Sequence, residues 1–93
     1  MRFEWDELKN IGNYKKHRVW FEEAQTIWAD SGAIEFFDPD HSHSEDRFMR
    51  VGYSTKHNLL LVVFCERAEG RLVRIISARK ATTKEKKQYE EGI

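Results

Sequence analysis

Ninety-three residues leave room for one hydrophobic core and no second domain, because burial efficiency falls steeply as chains shorten. An apolar share of 40% can fill that core, while a charged share of 34% and a single proline predict a soluble surface and exclude a largely disordered chain. The net charge of zero excludes a uniformly basic or acidic protein, no apolar run approaches the roughly 18 residues of a membrane helix, and Met1 to Asp6 lack the apolar stretch of a signal peptide.

In chain order, Arg2 to Trp5 alternates polar and aromatic residues and reads as a short edge strand. Asp6 then caps a helix with Glu7 in its first turn and Leu8, Ile11 and Tyr14 recurring on one side. The helix should end near His17, where Lys15 and Lys16 suit its negative end. A second helix spans about Trp20 to Ala29, since Phe21, Ala24, Ile27 and Trp28 fall at helical spacing. From Ala33 the pattern turns extended: a strand to Phe37, a polar loop from Asp38 to Asp46, and a strand from Phe48 to Tyr53. Leu59 to Phe64 is a continuous apolar run, which marks a central strand buried on both faces. Glu69-Gly70 turns the chain into a further strand, Leu72 to Ala78. Thr82 with Glu85 three residues on matches a capping box and opens a short charged helix to about Glu91.

The expected fold is a single α+β domain over residues 1–93, in the order β-α-α-β-β-β-β-α. Its sheet should be mostly antiparallel, with the two N-terminal helices on one face. The lone cysteine, Cys65, sits in the apolar run and cannot form an internal disulfide, which points to a reducing cytoplasm.

Charge is unevenly distributed. Residues 1–66 carry eight Lys/Arg against twelve Asp/Glu, and residues 67–93 carry eight against four. A basic end suits a polyanion or an acidic partner, although a solvated charged helix gives the same count. Three places could carry chemistry. The loop Asp38 to Asp46 holds His41, His43 and several carboxylates, but turn formation accounts for Asp, Ser and Pro equally well, and no metal is expected there. His17 beside Lys15, Lys16 and Arg18 could move protons, or could simply interact with the helix end. Finally, Arg67 after Glu66, and Arg74 and Arg79 on the last strand, could grip a phosphate bidentately or pair with surface acids. The two-residue period puts Ser77 and Arg79 on one face and Arg74 on the other.

Phe3-Glu4-Trp5-Asp6, Lys16-His17 with Val19 and Phe21-Glu22-Glu23-Ala24, and Asp38-Pro39-Asp40-His41-Ser42 with Glu45 and Arg47 resemble the BrnT family in order and spacing. Arg74 to Thr82 with Glu85 and Tyr89 completes a resemblance that covers nearly the whole chain. It implies a RelE-like fold and a toxin of a type II toxin–antitoxin system that cleaves RNA and inhibits translation. It also implies neutralisation by a BrnA-type antitoxin, with DNA contacted only through that antitoxin's DNA-binding domain. One position departs: the family commonly carries glycine where this chain has Arg18, and glycine there would end the helix in a left-handed turn.

RNA supplies its own nucleophile, so no metal or other cofactor is expected. Arg67 and Arg79 would stabilise the phosphate's developing charge, His17 would move the proton with Glu66 or Tyr89 in reserve, and Ser77 would orient the phosphate. Arg74, Lys80, Lys84 and Lys87 would add backbone attraction that weakens with salt. The competing class is an inactive module that only binds an antitoxin; metal-dependent hydrolysis at the His41/His43 loop is a third.

Overall fold

The computed structural model describes residues 1–41 and 45–92, with no side chain described for His41. Five strands and three helices follow in the expected order: β1 (Arg2–Glu4), α1 (Glu7–His17), α2 (Phe21–Ala24), β2 (Ile34–Asp38), β3 (Arg47–Tyr53), β4 (Leu59–Arg67), β5 (Leu72–Lys80) and α3 (Thr83–Glu91). The second helix is α-helical only to Ala24 and tightens into a 3-10 turn over Gln25–Ala29.

The sheet runs β1-β5-β4-β3-β2. Its four consecutive strands β2 to β5 pair antiparallel, but β1 lies parallel to β5, so the sheet is mixed. A parallel neighbour needs a crossover, and the two helices that follow β1 are part of it. Those helices lay Val19, Phe21, Ala24 and Ile27 on the sheet face made by Leu60, Val62, Phe64, Val73, Ile75 and Ala78. Phe3, Trp28, Phe64 and Phe48 form a continuous aromatic chain along this layer, with ring centroids 4.9–5.7 Å apart.

α1 begins where the Asp6 carboxylate accepts from the Leu8 and Lys9 N–H groups. It ends in the left-handed turn that a glycine would favour, but Arg18 adopts it, at φ 61° and ψ 29°. Its buried face is not the apolar stripe. Leu8 is 81% exposed and Ile11 is also exposed, whereas Asn10 and Asn13 are buried. The reason lies in β5. Three-residue β1 covers only Leu72 to Arg74, leaving the remainder of that edge without a strand. The Asn13 amide fills the gap: it donates to the Ala78 carbonyl at 2.8 Å and accepts from the Ala78 N–H at 3.1 Å, as a strand would. It also donates to the Val19 carbonyl. Asn10 accepts from the Phe21 N–H and so ties α1 to α2.

β5 contains a bulge. Phe64 pairs with Ile75 and Val63 with Ser77, which leaves Ile76 as an extra residue. Every side chain after it changes phase, so Arg74 lies on the same face as Ser77 and Arg79, opposite to the expectation from strict alternation. No helix of the described residues is long and apolar enough to cross a membrane.

Candidate active site on the open face of the sheet

The face away from α1 and α2 carries Arg47 and Met49 from β3, Leu61, Val63 and Cys65 from β4, and Arg74, Ser77 and Arg79 from β5. At one end of it lies α3, where Glu85 meets Arg79 and Tyr89 packs edge-on against Tyr53. Beside α3 opens a cleft of about 350 Å³. Its floor is apolar, made by Met49, Leu61, Val63 and Ile76, and its rim is polar, made by His17, Ser77, Arg79, Arg47 and Asp38. His17 reaches it from the last turn of α1, directly before the left-handed Arg18. Ser77 and Arg79 reach it because the bulge sets their phase.

Arg79 is held firmly. Nη1 and Nη2 donate to the two Glu85 carboxylate oxygens at 2.7 and 2.8 Å, and Nη1 also contacts the Lys80 carbonyl. Guanidinium has five donors in a fixed fork. The end-on pair is taken by Glu85, while among the described residues nothing accepts from the Nε edge, which can still meet an anion bidentately. Glu85 completes the expected capping box at the same time, accepting from the Thr82 N–H while the Thr82 hydroxyl accepts from its own N–H. The hydrogen bonds from Arg79 hold its carboxyl below the usual 4.5, and reciprocally raise the Arg79 guanidinium. A carboxylate depressed in the folded state contributes stability that is fully present above 4.5 and lost as pH falls through its folded value. Acidification from 4.5 down through this lowered range is therefore expected to free α3 before the core melts. Amide exchange in residues 83–91 followed against pH would show it, and α3 protection that falls only with the whole sheet would contradict it.

The other residues expected in the site are placed elsewhere. Arg67 lies on the same face as Arg79 but at the far end of β4: Arg79 pairs with Leu61, six residues from Arg67, a separation of roughly 20 Å at strand rise. It bonds Glu45 at 3.1 Å and faces Glu4 at 3.9 Å. Arg74 also pairs with Glu4, at 3.0 Å. Two strand ends cannot converge when they are opposite ends of one antiparallel pair, so the guanidinium cluster is divided. Glu66 alternates onto the helix-bearing face. Tyr89 donates its hydroxyl to Asp30 at 2.7 Å, which pushes it up to about 12 and ties α3 to the end of the 3-10 turn. Lys80, Lys84 and Lys87 are exposed and outside the cleft. His43 lies outside the described residues, as does the His41 side chain. Among the described residues no group of three or more His, Cys, Asp or Glu could hold a metal ion.

Asp38 and Arg47 are the cleft residues that strand reasoning missed. They are register partners; Asp38 fell into the expected loop and Arg47 just before the expected strand, because β2 and β3 each run one residue further. Continuing the alternation Ile34, Phe36, Asp38 would have found the first. Cys65 is buried between Arg47 and Arg74 in the register, and burial pushes its thiol up, away from reactivity. A larger cleft of about 530 Å³ lies elsewhere, but Glu7, Glu22 and Glu23 line it with a single lysine, Lys56. A polyanion is repelled there.

These features define a small α+β protein with a mixed sheet and, on its open face, a cleft rimmed by two arginines, a histidine, a serine and an aspartate. The family model for BrnT, ribonuclease toxins of type II toxin–antitoxin systems, matches residues 5–85. The chain belongs to this family, and a toxin of this type has a protein antitoxin as its partner. Its fold is similar to the 1.1 Å crystal structure of the Brucella abortus ribonuclease toxin BrnT, with a TM-score of 0.67 and 24% identity over 89% of this chain and 99% of that one. None of the curated proteins matches the sequence.

Proposed function

We propose that the protein is a metal-independent endoribonuclease whose site is the cleft of His17, Ser77, Arg79 and Arg47. The observation that carries this reading is the Arg79 guanidinium, fixed by Glu85 with a donor edge left over, in the same cleft as a histidine. In the reaction the 2′-oxygen bonds to phosphorus as the bond from phosphorus to the 5′-oxygen breaks. The 2′-hydroxyl proton passes to an acceptor and the leaving 5′-oxygen receives a proton, giving a 2′,3′-cyclic phosphate and a free 5′-hydroxyl. His17 is the cleft's proton carrier. Arg79 stabilises the negative charge that grows on the phosphoryl oxygens, and Ser77 orients them. Exposed Lys84 and Lys87 attract the backbone at longer range.

The antitoxin we infer is of the BrnA type, which would also carry the complex to DNA, and cleavage of messenger RNA in the cytoplasm would arrest translation. An inactive antitoxin-binding module is favoured by one observation: Arg67, Arg74 and Arg79 all have carboxylate partners. Incubating purified protein with RNA in excess EDTA separates the readings. Cleavage that leaves cyclic phosphate ends supports the ribonuclease, cleavage abolished by EDTA removes metal independence, and intact RNA with or without EDTA leaves the binding module.

Tyr89→Phe is expected to keep the cleavage rate, since its hydroxyl is engaged by Asp30. It should cost about 1 kcal/mol through the lost hydrogen bond, a few degrees in Tm. A tenfold loss of rate at unchanged Tm would put Tyr89 into the chemistry.

A further inference from the structure

Phosphate chemistry needs the rim of the cleft but not its floor. Met49, Val63 and Ile76 are only half-buried, which leaves an apolar platform open beneath charged groups. Apolar side chains of this kind seat a nucleobase by covering its face, and the methionine sulfur adds a favourable contact with the ring. The position fits. Arg79 on β5 and Arg47 on β3 stand two strand spacings apart across the sheet and four residues apart along it, since Arg79 pairs with Leu61 and Leu61 with Val51. That is roughly 16 Å between backbones, a span that the two long side chains and a nucleotide, from its phosphate to the far edge of its base, fill together. We propose that this floor seats the base of the nucleotide 5′ to the cut, and that Asp38 and Arg47 select guanine there. The proposal rests on the ribonuclease reading for its place in the reaction, but not for its binding chemistry.

Guanine is the base that offers adjacent donors, N1–H and the 2-amino group, along with adjacent acceptors, O6 and N7. A carboxylate takes the first pair and a guanidinium the second. Adenine lacks the N1 donor, and the pyrimidines present a shorter edge. Asp38 and Arg47 are register partners on neighbouring strands at the same rim. A carboxylate has about four acceptor sites and a guanidinium five donors, so a contact within the protein does not by itself close either side chain to a base.

The test uses the purified full chain and the four nucleoside 3′-monophosphates, titrated by calorimetry. The guanine nucleotide is expected to bind about tenfold more tightly than the other three, the discrimination of one good bidentate pair. Inosine 3′-monophosphate, which lacks only the 2-amino group, should lose most of that advantage without any change to the protein. Asp38→Ala should level the four affinities, and Arg79→Ala should weaken all of them alike. Four nucleotides binding within about twofold of one another overturn the guanine seat, as does an inosine nucleotide that binds as well as the guanine one. If the guanine preference holds while RNA oligonucleotides stay uncut, the seat stands and the ribonuclease reading falls.

Discussion

Arg79→Ala is expected to lower RNA cleavage by about 10²- to 10³-fold, the loss seen when one preorganised donor to a developing oxyanion is removed. The side chain is oriented before substrate arrives, because both Glu85 oxygens grip its end-on fork. Preorganisation of this kind spares the reaction the cost of reorienting a dipole as charge develops. Arg79→Lys should recover only part of the rate: the charge remains, but the fork that meets Glu85 on one edge and phosphate on another is gone. Stability should change little, since an ion pair that solvent still reaches is worth about 0–1 kcal/mol. Glu85→Ala should also slow cleavage, by less, and the double variant should be no slower than Arg79→Ala alone if Glu85 acts through Arg79. Cleavage and Tm measured on the four variants decide the matter. A rate unchanged in Arg79→Ala removes this arginine from the site, and additive losses in the double variant give Glu85 a separate role.

The fold was legible wherever burial is uniform along an element. The run Leu59 to Phe64 names itself as the central strand because both its faces are covered, and Phe21, Ala24 and Ile27 repeat as they must to sit on the sheet. The capping box of Thr82 and Glu85 marked the start of α3, since its chemistry is local to four residues. What was not legible depends on single residues acting across space. The bulge at Ile76 has no signature in a strand of valines and isoleucines, yet it reverses the face of Arg74. Strand alternation likewise says which residues share a face but not how far apart along it they fall, which is why Arg67 and Arg79 could be expected together. His17, Ser77 and Arg79 line one cleft, but the carboxylate that fixes Arg79 comes from a helix cap, where a structural role already accounted for it. The parallel pairing of β1 was open for a related reason, because three residues carry no directional signal.

The Asn13→Ala variant is expected to be among the most destabilising single changes in α1, although no scale of hydrophobicity would single it out. Its amide satisfies three buried backbone groups, the Ala78 N–H and carbonyl and the Val19 carbonyl. Alanine leaves all three without a partner in a site that is only 8% exposed at residue 13. Each stranded group costs about 1–3 kcal/mol, so the total is on the order of 3 kcal/mol or more, out of the roughly 5–15 that hold a small domain together. At about 4–8 °C per kcal/mol, Tm should fall by on the order of 15 °C. Asn13→Asp should do no better at neutral pH: its carboxylate can accept from the Ala78 N–H but has no donor for the two carbonyls. By contrast Leu8→Ala should stay within about 0.5 kcal/mol, because that side chain is already in water. Thermal unfolding of the three variants would reveal which face of α1 holds the sheet. If Leu8→Ala proved the costlier change, the docking of this helix through its asparagines would be wrong, and with it the way Ala78 is held between Ser77 and Arg79.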